Sequence, residues 1–445
     1  MGNDNDIINE GINSIKKMSG DNQAKEYGIN NEAKDRLWTG SFLILWQSQL
    51  VSTLGDAAYS IALGFWVLAT TGSTALMGTL MAASTLPGVI ISPFAGVMID
   101  RYNKKALLVL MDVIRGISII LLSFASFKGF IAIWMVFATG IILSVCGAIF
   151  RPGVNSSIPE LAPPSKITNA NAAFAVVTNG ANMIGNALGG FLLKLFGSTL
   201  MFFFNGISYL FSGLSIFFIK IPKKEKKDNQ YFWRDMKDGF SFMWKLKGLR
   251  YIIVVIAFIN FFFNISLVLF LPLFQKTSYL GPDKYGVAIA CFMGGAMAGY
   301  LLTSIIKIQP NKKFGIFIIS GITSNLCFIL FTLQHIFIIM VVLLLAGGFF
   351  NSILNVILMS SVQIATTKEV RGKVLAFMSM VTQGLSPFAM ALGGVLGGII
   401  PIRTVMLASF LIILIAVIPF IFVNSFKKFL NFDYEKDSIE NIMEN

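Results

Sequence analysis

Twelve runs of about 20 apolar residues, each long enough to cross a bilayer as a helix, divide this chain. Their approximate centres are Thr53, Leu86, Ser118, Thr139, Ile184, Tyr209, Phe263, Ala296, Leu326, Leu345, Pro387 and Ile413. Only 13% of the 445 residues are charged and 55% are hydrophobic, where a soluble domain carries roughly 25% charge. The chain reads as a polytopic membrane protein.

The connecting loops alternate in charge. Loops after even-numbered spans hold 21 Lys or Arg, among them Arg101, Lys104, Lys105, Arg151 and Lys166, then ten from Lys220 to Arg250, then Lys307, Lys312 and Lys313, then Lys368, Arg371 and Lys373. The other loops hold five: Lys128, Lys194, Lys276, Lys284 and Arg403. Basic loops stay in the cytoplasm, so both termini are expected there. The net charge of +13 is therefore a topology signal, and no nucleic-acid partner is expected because the basic residues form no aromatic-interleaved stripe. The first 36 residues are polar and hold no apolar core of signal-peptide length. Cys146, Cys291 and Cys327 lie inside apolar spans and read as small buried thiols.

A repeat runs through the chain. Val177, Thr178, Asn179 and Gly180 return as Val381, Thr382, Gln383 and Gly384, and Ala187, Leu188, Gly189 and Gly190 return as Ala391, Leu392, Gly393 and Gly394. Ser156 and Ser157 return as Ser360 and Ser361 at the same offset of 204, so span 5 corresponds to span 11. Two parallel six-helix halves follow, the arrangement that builds a central site opening alternately to either side. The expected organisation is a cytoplasmic tail over 1–37, a bundle over 38–220, a cytoplasmic linker over 221–250, a second bundle over 251–426 and a cytoplasmic tail over 427–445. In the linker Phe232, Met236, Phe240 and Met243 recur at helical spacing, which predicts an amphipathic helix on the inner membrane surface, either a tether or a lipid sensor. Both tails are polar with mixed charge and read as weakly ordered.

Between spans 2 and 3 the chain reads Gly96, Val97, Met98, Ile99, Asp100, Arg101, Tyr102, Asn103, Lys104, Lys105. This resembles the signature loop of major facilitator transporters, G-x-x-x-D-R-x-G-[RK]-[RK], with Asn103 at the second glycine. Both residues tolerate positive φ, so the tight turn survives the exchange. The resemblance implies an all-α membrane protein with twelve transmembrane helices in two pseudo-symmetric six-helix halves. It also implies a cytoplasmic gate of Gly96, Asp100, Arg101, Lys104 and Lys105, with Asp100 near the start of span 11 and in reach of Arg101 or Arg371.

Charges within a membrane are functional hypotheses by default. Asp56 lies inside span 1 on a stripe with Gln49, Ser52 or Thr53, and Ser60. That face is expected to line an aqueous cavity, where the carboxylate exchanges a proton or is held by neighbouring hydroxyls and amides. Asp112 and Arg115, three apart on span 3, are expected to form an intramembrane ion pair, structural within the first half or else with a part in coupling. Span 5 resembles the antiporter motif G-x-x-x-G-P-x-x-G-G, with Ala181 and Asn186 in place of the first Gly and the Pro. Its Gly180, Gly185, Gly189 and Gly190, with Gly393 and Gly394 of span 11, read as helix-interface glycines that support the contact between halves. Spans 1, 4, 7 and 10 line the cavity in this family. Gln49, Ser52 and the amide pairs Asn260 with Asn264 and Asn351 with Asn355 are thus candidate substrate contacts or interhelical hydrogen bonds.

Smaller motifs resemble the branch holding macrolide-efflux-type exporters, siderophore exporters and lysophospholipid flippases. They are Gln49, Ser52, Gly55 and Asp56 followed by Thr71, Gly72 and Ser73; Asp112 with Arg115; Phe150, Arg151 and Pro152 leading to Ile158, Pro159, Glu160 and Leu161 and on to Asn169, Ala170 and Asn171; and Arg371, Gly372, Lys373 and Val374. The expected function is proton-coupled export of amphipathic small molecules by alternating access. A lysophospholipid flippase or siderophore exporter on the same fold and a non-transporting membrane sensor are the alternatives. No phosphate loop of the form G-x-x-x-x-G-K-[ST] occurs, and His335 is the single histidine, without a nucleophile or metal-ligand constellation. No enzyme activity, cofactor or metal is expected. The expected partners are the substrate, protons and membrane lipid, with the chain a monomer. Abundant Ile, Asn, Lys and Phe suggest an AT-rich bacterial genome and hence a bacterial plasma membrane.

Overall fold

The computed structural model describes residues 37–163, 166–219, 247–306, 308–366 and 368–432. Both distal tails and most of the linker, including its amphipathic stretch, lie outside the described residues.

The spans are α1 (Gly40–Thr71), α2 (Thr74–Ala83 and Leu86–Arg101), α3 (Lys104–Phe127) and α4 (Ile133–Leu161), then one helical run over Ile167–Phe217. That run bends at Gly197, whose φ of 70° suits a residue without Cβ, and so divides into α5 and α6. They are followed by α7 (Lys247–Lys276), α8 (Pro282–Ile305), α9 (Lys313–Leu333), α10 (Phe337–Ala365), α11 (Lys368–Gly384 and Ser386–Ile399) and α12 (Ile402–Ile421). Among the described residues twelve helical spans result, as the apolar runs require. Backbone polar groups in hydrocarbon have no water to bond, and a helix satisfies nearly all of them internally.

In the first six spans, α1 packs on the α5–α6 run, α3 on α4 and α6, and the second segment of α2 on α4. The second six repeat the scheme, with α7 against α11 and α12, α9 against α10 and α12, and α8 against α10. The halves meet through two equivalent pairs, α5 with α8 and α2 with α11. The sequence repeat that aligns span 5 with span 11 matches this exchange of partners.

The two ends of the bundle differ. Call the end bearing the Tyr102–Asn103 connection and the other basic loops the basic face, and the opposite end the far face. Toward the far face one buried cluster contains residues of both halves, among them Tyr59, Phe65 and Met77 with Leu269, Leu273 and Ala389. Gln275 donates to the carbonyl of Phe65 at 3.2 Å, and Lys194 lies 3.7 Å from Asp283 across the same seam. Toward the basic face, the described buried residues form two separate clusters. Phe42, Leu108, Phe150 and Val154 belong to the first half, and Phe317, Ile357, Val374 and Met378 to the second.

Two expectations need correction. The turn before α3 uses no positive φ: Asn103 sits at φ −65°, and its side-chain oxygen accepts from the Ala106 amide at 3.2 Å. It is a helix N-cap, so the amide side chain, and not left-handed freedom, suits this position. Replacing Asn103 by Ala is expected to cost about 1 kcal/mol and by Gly only a few tenths; thermal unfolding of the two variants in detergent checks the order. The C-terminal segment also stays with the bundle beyond residue 427. Asn424–Leu430 form a short helix, α13, whose Phe426, Phe429 and Leu430 are buried, and Asn431 accepts from the Phe314 amide at 2.9 Å. Phe and Leu at helical spacing among the lysines bury one face there.

Candidate functional site

Along α3, Leu108, Met111, Asp112, Arg115, Gly116, Ile119 and Leu122 are buried, while Leu110, Ile117, Leu121 and Phe124 are exposed. Spacing by three and four puts the ionisable pair on the face turned into the first half. There Arg115 forms an ion pair with Asp112, and Ser212 of α6 donates to the other Asp112 oxygen at 2.6 Å. The guanidinium stacks between two rings, with its Cζ 4.2 Å from the Phe150 centroid and 4.3 Å from that of Tyr209. Such cation–π contacts strengthen when water is excluded. The Tyr209 hydroxyl in turn donates to Asp56 of α1. Three helices thus bring together two carboxylates, one guanidinium and one phenol, and a fourth, α4, adds the Phe150 ring.

This cluster differs in part from the expected cavity stripe. Asp56 bonds toward α6, in the interior of the first half, while Gln49 and Ser52 are buried and Ser60 is exposed. Gln49 leaves its Nε2 without a partner. Each candidate amide pair bonds along its own helix. Asn260 donates to Ile256 at 2.9 Å, Asn264 to Asn260 at 2.8 Å and Asn355 to Asn351 at 2.9 Å, all to backbone carbonyls. Among these described bonds none crosses to a neighbouring helix.

The interface glycines divide as well. A Cβ on Gly185 or Gly189 would meet Ala57 or Ile61 of α1, and one on Gly393 would meet Val268 and Ile265 of α7, all inside one half. Gly180 has nothing within 4 Å. Gly190, against the Pro282 carbonyl, and Gly394, against Gly78, lie between the halves. Of the gate residues, the side chains of Asp100, Arg101 and Arg371 lie outside those described, as does the environment of Gly96. Lys104 reaches Glu160 of α4 at 2.8 Å and Lys105 sits over the Phe217 ring at 5.1 Å, so both engage the first half.

Sequence reasoning gave no site role to Tyr209 or Ser212, nor to Phe150, which it named only within a branch motif. A signal existed for α6, where Asn205, Ser208, Tyr209 and Ser212 recur at helical spacing inside an apolar span. Nothing in the spacing distinguishes Phe150 from lipid-facing rings. Gly78 and Gly286, which meet the opposite half at Gly394 and at the Asn186 carbonyl, were missed too.

The family model described as Major Facilitator Superfamily matches residues 45–388. The chain belongs to the Major Facilitator Superfamily. It is a multi-pass transporter of that family, and the family implies a small-molecule substrate. Macrolide efflux protein A of Streptococcus pyogenes is 23% identical over 272 residues, which are 60% of this chain and 67% of that protein. Quinolone resistance protein NorA of Staphylococcus aureus is 24% identical over 295 residues, 64% of this chain and 68% of NorA. Among solved structures, a bacterial homologue of the iron transporter ferroportin in an inward-facing state superimposes with a TM-score of 0.66. That match covers 85% of this chain and 98% of the other at 14% identity, so it speaks to the fold alone.

Proposed function

We propose that this transporter is a proton-coupled exporter of amphipathic small molecules in the bacterial plasma membrane, with the basic face in the cytoplasm. The observation that carries the reading is the division of the core: among the described residues the halves share one buried cluster at the far face, while those toward the basic face fall into separate ones. With the basic face inside, as the loop charges direct, this is a state that loads from the cytoplasm. Rocking about the α2–α11 and α5–α8 seams then exposes the cavity outward. One chain carries both halves, so a monomer suffices. The relatives named for macrolide efflux and quinolone resistance support export of amphipathic compounds.

The buried cluster supports proton coupling by charge balance. Asp56 and Asp112 face a single buried guanidinium, and an uncompensated charge in a membrane interior is costly. One exchangeable proton on the pair of carboxylates balances the set. Asp56, held by the neutral Tyr209 hydroxyl and not by an ion pair, is the group assigned to carry it. The reading also keeps the cytoplasmic gate at Gly96, Asp100, Arg101, Lys104, Lys105 and Arg371, and substrate contacts at Gln49, Ser52, Asn260, Asn264, Asn351 and Asn355.

Proton movement in proteoliposomes tests it, on adding lipophilic cations, macrolides or lysophospholipids to native protein and to Asp56→Asn. The expected result is substrate-driven proton flux that the variant loses while it still folds and binds. Lysophospholipid movement without proton flux, equal in both proteins, would replace this reading with that of a flippase.

A further inference from the structure

Between α1, α5 and α6 lies a crevice of about 320 Å³, lined by Val51, Leu54, Gly55 and Ala58, by Leu192 and Phe196, and by Met201, Phe204, Asn205 and Ser208. It belongs to the first half alone, on the side of α5 turned to α1 and away from the seam with α8. Its mouth is set in the lipid-facing surface. Phe196 and Phe204 stand 48% and 56% exposed at its rim, and Leu200, Phe204, Ile207, Phe211 and Leu214 form one exposed apolar stripe along α6. Its floor is closed where α1 and α6 come close at Gly55, on which a Cβ would meet Asn205 and Ser208.

From this position and lining we infer that the crevice is a binding site for one acyl chain of a bilayer lipid. Three observations favour hydrocarbon over the alternatives. Of the two polar lining side chains, Ser208 donates its hydroxyl to the Asn205 carbonyl at 2.8 Å and to its side-chain oxygen at 3.1 Å, which leaves the buried Asn205 Nδ2 as a lone donor without a partner, too little to hold a water or a polar head. A water needs two to four polar partners to stay in a cavity, and the remaining wall is aliphatic, aromatic or thioether. The volume falls at the low end of the roughly 300–1,000 Å³ of small-molecule pockets, which suits a single chain better than a ring system with a charged head. An empty slot would also forfeit the dispersion contacts that adjoining hydrocarbon supplies. The inference rests on the placement of these helices in a membrane and not on the export reading. Because Gly55 and Ser208 immediately precede Asp56 and Tyr209, a chain seated here packs on the backbone that carries the buried cluster.

The test uses the full chain in phosphatidylethanolamine–phosphatidylglycerol liposomes, doped with phosphatidylglycerol that carries a diazirine midway along one acyl chain. After irradiation, peptides covering 51–58 and 201–208 are expected to be labelled several-fold above the lipid-facing control over 117–124 of α3. Filling the slot by Leu192→Trp, or independently by Val51→Trp, is expected to bring crevice labelling down to the control level while α3 labelling is unchanged. Labelling of the crevice no greater than of α3, or undiminished in both filled variants, would overturn the site. So would complete displacement of the lipid probe by a transported amphiphile at its working concentration, which would reassign the slot to substrate.

Discussion

Replacing Arg115 by alanine is expected to be among the most damaging single changes in the described membrane core, costing about 3–5 kcal/mol because it strands the Asp112 carboxylate without its partner. Asp112 is fully buried, and among the described bonds the Ser212 hydroxyl is what remains to hold it after the change. Two aromatic contacts disappear as well, and the gap between Phe150 and Tyr209 cannot close without moving α4 toward α6. A lower thermal midpoint in detergent, with reduced yield of folded protein, is the expected readout. Removing both charges, as Asp112→Leu with Arg115→Met, is expected to recover much of the loss, since an apolar pair of similar volume pays no desolvation. A double variant no better than Arg115→Ala would mean that packing around the guanidinium, and not the ion pair, dominates.

Gly394→Val is expected to open the far face. A Cβ at Gly394 would lie 2.7 Å from the Gly78 Cα and 2.7 Å from the Thr74 carbonyl oxygen, and both are backbone atoms of a helix in the opposite half. Neither can turn aside as a flexible side chain would. Overpacking of this kind costs typically 1–3 kcal/mol, which shifts a two-state equilibrium about 5- to 150-fold. The strain is relieved when α2 and α11 part, so it acts on the closed far face selectively. Spin labels at Leu195 and Ile399, exposed on opposite halves near that face, are expected to show a longer distance population in the variant. Gly180→Val, at a position with nothing within 4 Å, serves as the control and is expected to leave the distribution unchanged. An unchanged distribution in Gly394→Val would show that this seam does not set the balance between states.

Much of the architecture was legible because membrane burial is a one-dimensional constraint. A span must be about 20 residues long and apolar, the loops around it must carry their charge on one side, and a duplicated bundle leaves its offset in the chain. Even Gly197, which divides a run of 51 helical residues into two spans, stands between two apolar segments that are each long enough to cross. The site was legible only in its members. Asp56, Asp112 and Arg115 announce themselves as charges in apolar spans, yet the stripe through Gln49 and Ser60 pointed Asp56 at an aqueous cavity, whereas its hydrogen bond runs to Tyr209.

The difference lies in what each quantity depends on. Span number, loop polarity, the twofold repeat and the buried face of α3 are properties of segments, set by the residues within about 20 positions of one another, and the sequence by itself determined them. Which face of α1 meets α6, which glycines touch across the seam, and that Phe150 closes over Arg115 depend on how helices rotate and approach as rigid bodies. Small residues permit a close approach at Gly185, Gly190 and Gly394 alike, but only the packed bundle decides whether the neighbour there is a helix of the same half or of the other. Those choices minimise voids and unpaired charge over all twelve helices at once, and only the tertiary structure decides them.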